Sequence, residues 1–430
     1  MSEPLRIAIA GLGTVGGGTV ELLQKNRELL TLRAGRPMEL VAVSARHPER
    51  ERGLNLMGVR FERDALALAT APDVDVVCEL IGGAEGIALE LARRTLAAGR
   101  HLVSANKAML ASHGVELARL AEQRGVALAF EAAVAGGIPI VAALREGLAG
   151  NRIKRVYGIL NGTCNYILTQ MRLTGRSFAE ILAEAQALGY AEADPALDVD
   201  GIDAAQKLAL LAALAFGGMP RLDAVYVEGI RHIAPIDIAF AEELGYRIKL
   251  LAVARMTAAG LEQRVHPCMV PAEAPIAAVE GVLNGVVAEG DFVGAAVFEG
   301  RGAGRGPTAS AVVADLIDIA RGKRLPAFGI PTERLAEFRL APMAAHEGRY
   351  FIRLLVVDRP GVLAEIASVL RDHQISIASL IQRARDPGRG VPIVLTSHET
   401  TEAAMTAALA DIARLPSVLE RPRMIRIEEL

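Results

Sequence analysis

Five carboxylates and one lysine stand directly before a stretch of sequence that has no polar face. The carboxylates are Glu192, Asp194, Asp198, Asp200 and Asp203. Lys207 follows one helical turn after Asp203, and residues 208–216 are apolar without a break. A helix that is apolar on every side must be buried, and buried charges are costly unless they are paired or used. We therefore expect Lys207 to hold or deliver a proton at a polar substrate, with Asp203 beside it. A plain ion pair at i,i+4 spacing is the alternative.

A second motif, Asn161-Gly-Thr-Cys-Asn-Tyr166, precedes this stretch and contains Cys164. A cysteine thiolate next to a general base and NADP would make an acylating aldehyde dehydrogenase. Cys164 follows a turn and could open a helix, where the helix dipole favours a thiolate, but no histidine lies near it in the sequence. This enzyme class is therefore kept as an alternative.

The composition is that of an ordinary soluble globular protein. At 430 residues the chain is too long for one hydrophobic core and should form two or three domains. Hydrophobic residues make up 52%, charged residues 23%, and the formal net charge is −3. With this net charge, the chain as a whole is not attracted electrostatically to nucleic acid or to an anionic membrane. Tryptophan is absent and aromatic residues make up 4%, which argues against a surface for base stacking.

Patterns for targeting and for metal binding are missing from the sequence. It shows neither a signal peptide nor an apolar run of about 20 residues, so we expect a cytoplasmic protein without a membrane partner. Cys78, Cys164 and Cys268 show no CxxC spacing, and the eight histidines form no HxxxH pattern or Cys/His cluster. A disulfide framework and a catalytic zinc or iron site therefore have little support.

The N-terminal residues have the pattern of a dinucleotide-binding unit. Residues 6–10 form a buried strand by their composition, and the glycines of Gly11-Leu-Gly-Thr-Val-Gly16 lead directly into a helical pattern. In this order, Gly11, Gly13 and Gly16 let backbone N–H groups and the helix N-terminus approach a pyrophosphate. A glycine turn that binds nothing is the alternative.

The end of the second predicted strand, residues 39–44, indicates which dinucleotide is used. An NAD-binding unit usually has an acidic residue here, whereas this chain has Ser44-Ala-Arg46. A guanidinium with no neighbouring carboxylate can pair with a 2′-phosphate, so Arg46 favours NADP, with NAD as the alternative cofactor. Arg46 could equally be a solvated loop residue.

Further strands at 75–81, 101–105 and 126–130 complete a parallel sheet. The second of them delivers Lys107 at its C-terminal end, where sheets of this kind bind ligands. We expect Lys107 to face the nicotinamide and the substrate, and a solvent-facing turn lysine is the alternative. After the third, the loop 131–139 contains two glycines and a proline. Its carbonyls could converge on a monovalent cation, although an ordinary tight loop has the same pattern.

The remaining chain predicts two more units. Alternating segments at 153–159 and near 246–255, 263–270 and 293–298 indicate a mixed, largely antiparallel sheet. We assign residues 1–150, with a returning helix at 306–321, to a Rossmann-type domain, and residues 151–305 to a substrate-binding and dimerisation domain. Prolines mark 322–349 as a linker. Residues 350–430 show a βαββαβ order, which predicts a ferredoxin-like fold.

These motifs carry a family resemblance. In their order along the chain, the motifs at 11–16, 104–107, 131–139, 161–166 and 189–207 resemble those of homoserine dehydrogenase. Residues 350–430 are similar to an ACT domain, a small module that often binds amino acids at interfaces between its copies. No aspartate kinase domain precedes the first strand, so the chain resembles the monofunctional form.

The resemblance implies reversible reduction of L-aspartate 4-semialdehyde to L-homoserine with NAD(P)H, on the route to threonine and methionine. It implies that Lys207 donates the proton and that Lys107 lies beside the nicotinamide and the carbonyl. The residues it implies for the substrate are Glu192, Asp198, Asp203, Gly162 and Thr163. Those implied for the cofactor, beyond the glycines of the N-terminal loop, are Thr14, Val15, Arg46, Gly189 and Gly302. The carbonyls of Glu131, Val134, Gly136 and Ile138 would hold a sodium-like ion.

Two questions about partners stay open in the sequence. The ACT-like unit implies feedback inhibition by threonine in a homodimer or homotetramer, and a plain dimerisation module is the alternative. A non-catalytic sensor of nucleotide and amino acid is the alternative to an enzyme. The acidic stretch before Lys207 argues against a sensor, which has no need for a buried proton donor.

Overall fold

The computed structural model describes residues 3–383 and 390–430. The chain begins with a parallel sheet whose strand order is β3-β2-β1-β4-β5-β6. Its strands are β1 (Leu5–Ala10), β2 (Met38–Ser44), β3 (Arg60–Glu62), β4 (Val76–Glu79), β5 (His101–Ser104) and β6 (Leu128–Ala129). The helices of this unit are α1 (Thr14–Lys25), α2 (Arg27–Ala34), α3 (Ile87–Ala97) and α4 (Lys107–Arg124). The predicted Rossmann-type unit is confirmed, and β3 is an additional edge strand that the sequence did not reveal.

The middle of the chain forms helices on a second, mainly antiparallel sheet. Its helices are α5 (Ile140–Ala142), which a π-helical turn continues, α6 (Gly162–Thr174), α7 (Phe178–Ala187), α8 (Ala196–Val199), α9 (Ile202–Phe216), α10 (Pro235–Glu243) and α11 (Arg305–Ala320). Its strands are β7 (Ile153–Ile159), β8 (Tyr226–Val227), β9 (Tyr246–Thr257), β10 (Gly260–Pro271), β11 (Leu283–Gly290) and β12 (Gly294–Arg301). Strand β11 was not predicted, although it pairs with both β7 and β12.

Two helices tie the middle unit to its surroundings. As its composition requires, α9 is buried along nearly its whole length. Helix α11 returns to the first unit and packs against α1. The approach is so close that a Cβ atom on Gly18 would lie 2.5 Å from the carbonyl oxygen of Arg305.

The segment 322–349 is packed, although its prolines predict a linker. Phe328 and Leu335 are buried, and isolated β-bridges join Gly218 to Ala336 and Leu261 to Leu340. Prolines exclude regular elements from a segment, but they do not prevent its side chains from entering a core.

The C-terminal unit has the predicted βαββαβ order. Its elements are β13 (Glu347–Val357), α12 (Val362–Asp372), β14 (Ile377–Ile381), β15 (Gly390–Ser397), the short β16 (Thr400–Thr401), α13 (Glu402–Ile412) and β17 (Arg423–Ile427). Strand β17 pairs in parallel with β10 through Cys268 with Arg426 and Met269 with Ile427. This short pairing joins the two sheets into one of eleven strands, ordered β12-β11-β7-β9-β10-β17-β13-β15-β14, with β8 and β16 to the side.

Buried ion pairs reinforce that junction. Arg264 of β10, which has no exposed side-chain surface, donates to both carboxylate oxygens of Glu428, at 2.5 and 3.0 Å. Burial alone would raise the pKa of Glu428, but the charge and hydrogen bonds of Arg264 outweigh it and lower that pKa. Removing either partner would leave an uncompensated buried charge, which is strongly destabilising.

The junction also brings together three possible metal ligands that show no metal-binding pattern in the sequence. Ligand atoms of His266, Cys268 and Glu428 lie within 4.8 Å of one another, and all three residues are buried. Arg264 donates to Glu428 and lies 3.0 Å from the Nε2 atom of His266. A buried guanidinium in that position opposes a cation, so we interpret the cluster as part of the ion-pair network.

Candidate functional site

A cavity of about 600 Å³ lies between the first unit and the middle unit. Most of the residues predicted for the site line it: Thr14, Val15, Lys107, Gly136, Gly162, Thr163, Gly189, Glu192, Asp198, Asp203, Lys207 and Gly302. The structure therefore brings the glycine-rich loop, the carboxylates and both lysines to one place. The predicted residues outside its lining are Gly11, Gly13, Gly16, Arg46, Glu131, Val134 and Ile138.

The carboxylate of Asp203 is the centre of the cavity's charged groups. Lys207, one turn further along α9, donates from Nζ to Oδ2 of Asp203 at 2.8 Å. Lys107, at the start of α4 in the first unit, lies with its Nζ 3.2 Å from Oδ1. Asp203 is 5% exposed and Lys207 8%, so both are held in a largely desolvated place. Lys207 also donates to the carbonyl oxygen of Leu160 at 2.8 Å.

The two lysines keep Asp203 ionised. Burial alone would raise the pKa of this carboxyl group, but the charges of Lys207 and Lys107 and the hydrogen bonds of Lys207 and Asn161 outweigh it and lower the pKa to about 2. At neutral pH the site therefore contains a fixed anion that faces two amines. Such an arrangement can place an ammonium group against a reacting oxygen and hold it there.

Asn161 connects this centre to helix α6. Its Oδ1 accepts the N–H of Cys164 at 2.8 Å and so caps the helix. Its Nδ2 donates to Asp203 and to Asp198, at 2.8 Å each. Burial raises the pKa of Asp198, and the charge of Asp203 adds to that effect. Asn161 was not among the predicted site residues, although an asparagine directly before an apolar helix is a signal for an N-cap.

The geometry contradicts the alternative in which Cys164 is a nucleophile. Cys164 is fully buried, and its thiol donates to the carbonyl oxygen of Asp198 at 3.2 Å. Burial and the neighbouring carboxylates raise the pKa of the thiol well above its ordinary value. A thiolate is therefore disfavoured at this position, despite the helix N-terminus that the sequence suggested.

The glycine-rich loop has the geometry that a dinucleotide requires. Gly11 has a φ of 99°, which favours glycine, and a Cβ atom on Gly16 would lie 1.9 Å from the carbonyl oxygen of Gly11. No atom would obstruct a Cβ at Gly13, so this face of the loop is open. The residues present therefore fit a pyrophosphate at the N-terminus of α1.

A second cavity of about 300 Å³ adjoins this loop. Gly13 and Thr14 line it together with the arginines Arg50, Arg52 and Arg305. Arg46 is exposed after β2 and is absent from the lining of this cavity. The sequence placed the phosphate-pairing guanidinium at Arg46, just after the strand, whereas in the structure three other arginines line a cavity with Gly13 and Thr14.

The loop after β6 turns sharply beside the larger cavity. Ala135 and Gly136 have φ angles of 53° and 41°. The carboxylate of Glu131 accepts the N–H groups of Val141 and Ala142 and so caps α5. The predicted cation site uses its main-chain carbonyl. The carbonyl of Glu131 accepts the N–H of Val134, and the carbonyl of Ile138 accepts the N–H of Ile140. Each of these two carbonyl oxygens keeps a second lone pair.

Comparisons with known proteins agree along the whole chain. The family described as "Homoserine dehydrogenase, NAD binding domain" matches residues 11–131, "Homoserine dehydrogenase" matches 139–317, and "ACT domain" matches 350–416. A homoserine dehydrogenase of Pseudomonas aeruginosa is 45% identical over 435 aligned residues, which cover all of both chains. One from Helicobacter pylori is 41% identical, also over the full length of both.

Solved structures give the same result. A homoserine dehydrogenase from Thiobacillus denitrificans superposes with a TM-score of 0.94 at 44% identity, covering 99% of each chain. One from S. aureus gives a TM-score of 0.78 at 30% identity over the full length of both chains. A hyperthermophilic archaeal homoserine dehydrogenase mutant in complex with NADPH gives 0.63 at 25% identity and covers 74% of this chain and 97% of that one.

The pair of buried carboxyl groups behind the loop 131–139 generates a testable pH dependence. Asp315 of α11 accepts the N–H of Glu131 at 2.9 Å, and burial together with the Glu131 charge raises its pKa from 3.8 to about 8. A carboxyl group whose pKa is raised on folding stabilises the protein below its unfolded pKa. That stability is lost as the pH rises through the folded value.

We expect wild type to lose up to about 1.4 kcal/mol of unfolding free energy per pH unit between pH 5 and 8 from this group. Asp315→Asn should lack this pH-dependent loss. Its unfolding free energy should therefore increase relative to that of wild type as the pH rises. Urea unfolding at each pH measures the difference. Asp372→Asn, at an exposed carboxylate that pairs with Arg371, is the control and should follow wild type. Parallel curves for wild type and Asp315→Asn would contradict the expectation.

Proposed function

The chain belongs to the homoserine dehydrogenase family, and from that premise we propose that Lys207 and Lys107 serve the reduction of L-aspartate 4-semialdehyde to L-homoserine. The protein is an oxidoreductase that uses a nicotinamide cofactor. One observation carries the assignment of residues: a buried carboxylate, Asp203, holds two amines at the wall of a cavity that the glycine-rich loop also reaches. A non-catalytic sensor would not need this arrangement.

Lys207 acts as the proton donor in this proposal. The bound nicotinamide supplies a hydride to the aldehyde carbon, and negative charge develops on the carbonyl oxygen. Lys207 donates its proton to that oxygen, a contribution of roughly two to four orders of magnitude in rate. Lys107 adds a second positive charge at the same oxygen. Asp203 holds both amines in position through its two oxygens.

The two charged groups of the amino acid are assigned to different residues of the cavity. Asp198 and the exposed Glu192 offer carboxylates to the substrate ammonium. Gly162 and Thr163 begin α6, and the N-terminus of a helix binds anions. We assign the substrate carboxylate to that end.

NADP is the cofactor that the arginines favour. Arg50, Arg52 and Arg305 line the cavity beside the glycine-rich loop together with one acidic residue, Glu51. Arg46 lies on the same loop as Arg50 and Arg52. Together they supply positive charge for a 2′-phosphate. Val15, Gly189 and Gly302 line the larger cavity, where the nicotinamide half would lie.

A monovalent cation such as sodium is assigned to the carbonyls of Glu131, Val134, Gly136 and Ile138. The left-handed turn at Ala135 and Gly136 supports this, because such a turn can direct successive carbonyls to one side. The cation would fix the loop that reaches the cavity at Gly136.

The C-terminal unit is proposed as a site for threonine. Residues 356–363, together with Gln382 and Arg383, line a cavity of about 400 Å³ at the turn after β13. Arg383 also forms an ion pair with Glu243 and lies over the ring of Phe240, both on α10. Helix α10 packs against α6, whose first residues line the catalytic cavity. A carboxylate that binds Arg383 would therefore compete with this contact.

A homo-oligomer is the proposed assembly, as a homodimer or homotetramer. The support lies at the two edges of the eleven-stranded sheet. Edge strand β12 carries Val297, which is 46% exposed, and edge strand β14 carries Leu380, which is 43% exposed. Unpaired strand edges with apolar side chains favour pairing with another chain. Among the described residues, no helix has the length and apolar composition needed to cross a membrane.

Substitution of Lys207 tests the catalytic assignment. We expect Lys207→Met to lower kcat for homoserine oxidation by at least about 100-fold, while NADPH binding stays unchanged. In this direction the same amine, in its neutral form, accepts the hydroxyl proton of homoserine, and the substitution removes that acceptor. Absorbance of the reduced cofactor measures the rate. Lys323→Met, at a lysine outside the cavity that pairs with Asp318, is the matched control. Full activity of Lys207→Met would exclude the proposed role of Lys207 in proton transfer.

The same assay with NAD in place of NADP tests the cofactor assignment. The same assay with choline in place of sodium tests the cation assignment.

Substitution of Arg383 tests the regulatory assignment. We expect threonine to inhibit wild type and Arg383→Ala to need at least about tenfold more threonine, since a charge-assisted hydrogen bond is lost. Uninhibited kcat should stay the same. Arg371→Ala, at an exposed arginine of α12 that pairs with Asp372, controls for lost charge. Equal inhibition of all three proteins would place the ligand elsewhere, and no inhibition of wild type would leave the unit as a dimerisation module.

A further inference from the structure

Asn284 is a buried amide that the fold leaves without a partner. It lies on β11, is 1% exposed and lines the catalytic cavity. Within residues 3–383 and 390–430, neither its Nδ2 nor its Oδ1 has a hydrogen-bond partner. A buried donor or acceptor that stays unpaired costs its full desolvation penalty, so such groups call for an explanation.

Asn165 of α6 shows how the same fold treats an equally buried asparagine. It is also 1% exposed. Its Nδ2 donates to the carbonyl oxygens of Val279 and Leu283, at 3.1 Å each, and its Oδ1 accepts from Lys249 at 3.3 Å. The fold thus gives a hydrogen-bond partner to both polar atoms of this amide. At Asn284 it does not, although the residue lines the cavity where ligands bind.

Two glycines make room for the Asn284 amide. A Cβ atom on Gly302 would lie 2.0 Å from its Nδ2, and one on Gly162 would lie 3.6 Å from its Oδ1. The amide therefore lies between the N-terminus of α6 and the loop that precedes α11. A Cβ atom on Gly136 would lie 2.4 Å from the carbonyl oxygen of Gly302. The loop after β6 therefore packs directly against the loop that contains Gly302.

The surroundings of the amide select an anion as its partner. Gly162 is the first residue of α6, a helix of thirteen residues whose N-terminus carries partial positive charge. Asp198, whose carboxylate accepts from the α6 cap residue Asn161, and Glu192 line the same cavity and suit an ammonium group. An α-amino acid carries both charged groups on one carbon, so its carboxylate can meet the N-terminus of α6 and the Asn284 amide while its ammonium faces these acidic residues.

We propose that Asn284 is a substrate-binding residue, whose Nδ2 donates to the α-carboxylate of the amino acid beside the N-terminus of α6. The inference rests on the proposed function, which supplies the amino acid. The carboxylate does not change during hydride transfer, so the contact is made equally in the ground state and the transition state. Such uniform binding lowers KM and leaves kcat unchanged.

Two variants of similar size test the proposal, after wild-type turnover of homoserine has been measured. Asn284→Asp replaces the donor with a negative charge, and we expect it to raise the KM for homoserine at least about 100-fold. Asn284→Leu removes the amide, and we expect about a tenfold rise, the range of one hydrogen bond to a charged group. For both, kcat should stay within about threefold and the Kd for NADPH within about twofold. Because wild-type turnover is measured separately, failure of the proposed function is distinguishable from failure of this contact.

Unfolding in urea separates binding from packing. Since the Asn284 amide has no internal partner, Asn284→Leu should unfold at no lower urea concentration than wild type. Asn165→Leu, the matched control, should unfold at a lower concentration and keep the homoserine KM. The proposal is overturned if the homoserine KM is unchanged in both Asn284 variants. It is also overturned if the Kd for NADPH rises instead, which would assign the amide to the nicotinamide carboxamide. If Asn284→Asp does not fold, Asn284→Leu alone decides the question.

Discussion

The buried carboxylate of Asp203 is the interaction on which the active site depends. Its two oxygens receive Lys207 from its own helix, Lys107 from the first unit and Asn161 from the cap of α6. A buried anion without such partners would be costly, so α4, α6 and α9 must meet at this point for the fold to be stable. The cavity between the two units is a consequence of that meeting, and the proposed chemistry uses the same amines that neutralise the carboxylate.

The second constraint is the continuous sheet that joins the middle unit to the C-terminal unit. Strands β10 and β17 share only a short parallel pairing, but Arg264 and Glu428 add buried, charge-assisted bonds across it. Arg353 of β13 also pairs with Asp237 at the start of α10. The C-terminal unit thus holds a helix that packs against α6. For the ligand proposed there, the route to the cavity would run through packed helices rather than through a flexible tether.

Much of this was predictable from the sequence because it depends on local patterns. Glycine spacing and strand composition identified the dinucleotide-binding unit, and the apolar run after Lys207 identified a buried helix with charges at its start. Strand β11 was missed because its glycines and mixed composition break the alternation, and Asn284 was missed with it. The pairing of Arg264 with Glu428 was also invisible, because the two residues are far apart in the sequence and no local pattern connects them. Arg46 was predicted to mark the 2′-phosphate from its position after the second strand and from the missing acidic residue, and such a local pattern cannot show that Arg50, Arg52 and Arg305 line a cavity with Gly13.

Asp203 is proposed to act on the reaction through Lys207, and a double-mutant cycle measures this coupling. The measurement is kcat for homoserine oxidation by wild type, Asp203→Asn, Lys207→Met and the double variant. If Asp203 works by holding Lys207, the double variant will lose clearly less than the product of the two single losses. The loss that Asp203→Asn still causes in the Lys207→Met background then measures what Asp203 does through Lys107. If the reductions in kcat of the two single variants multiply in the double variant, Asp203 acts independently of Lys207, and the proposed coupling is wrong.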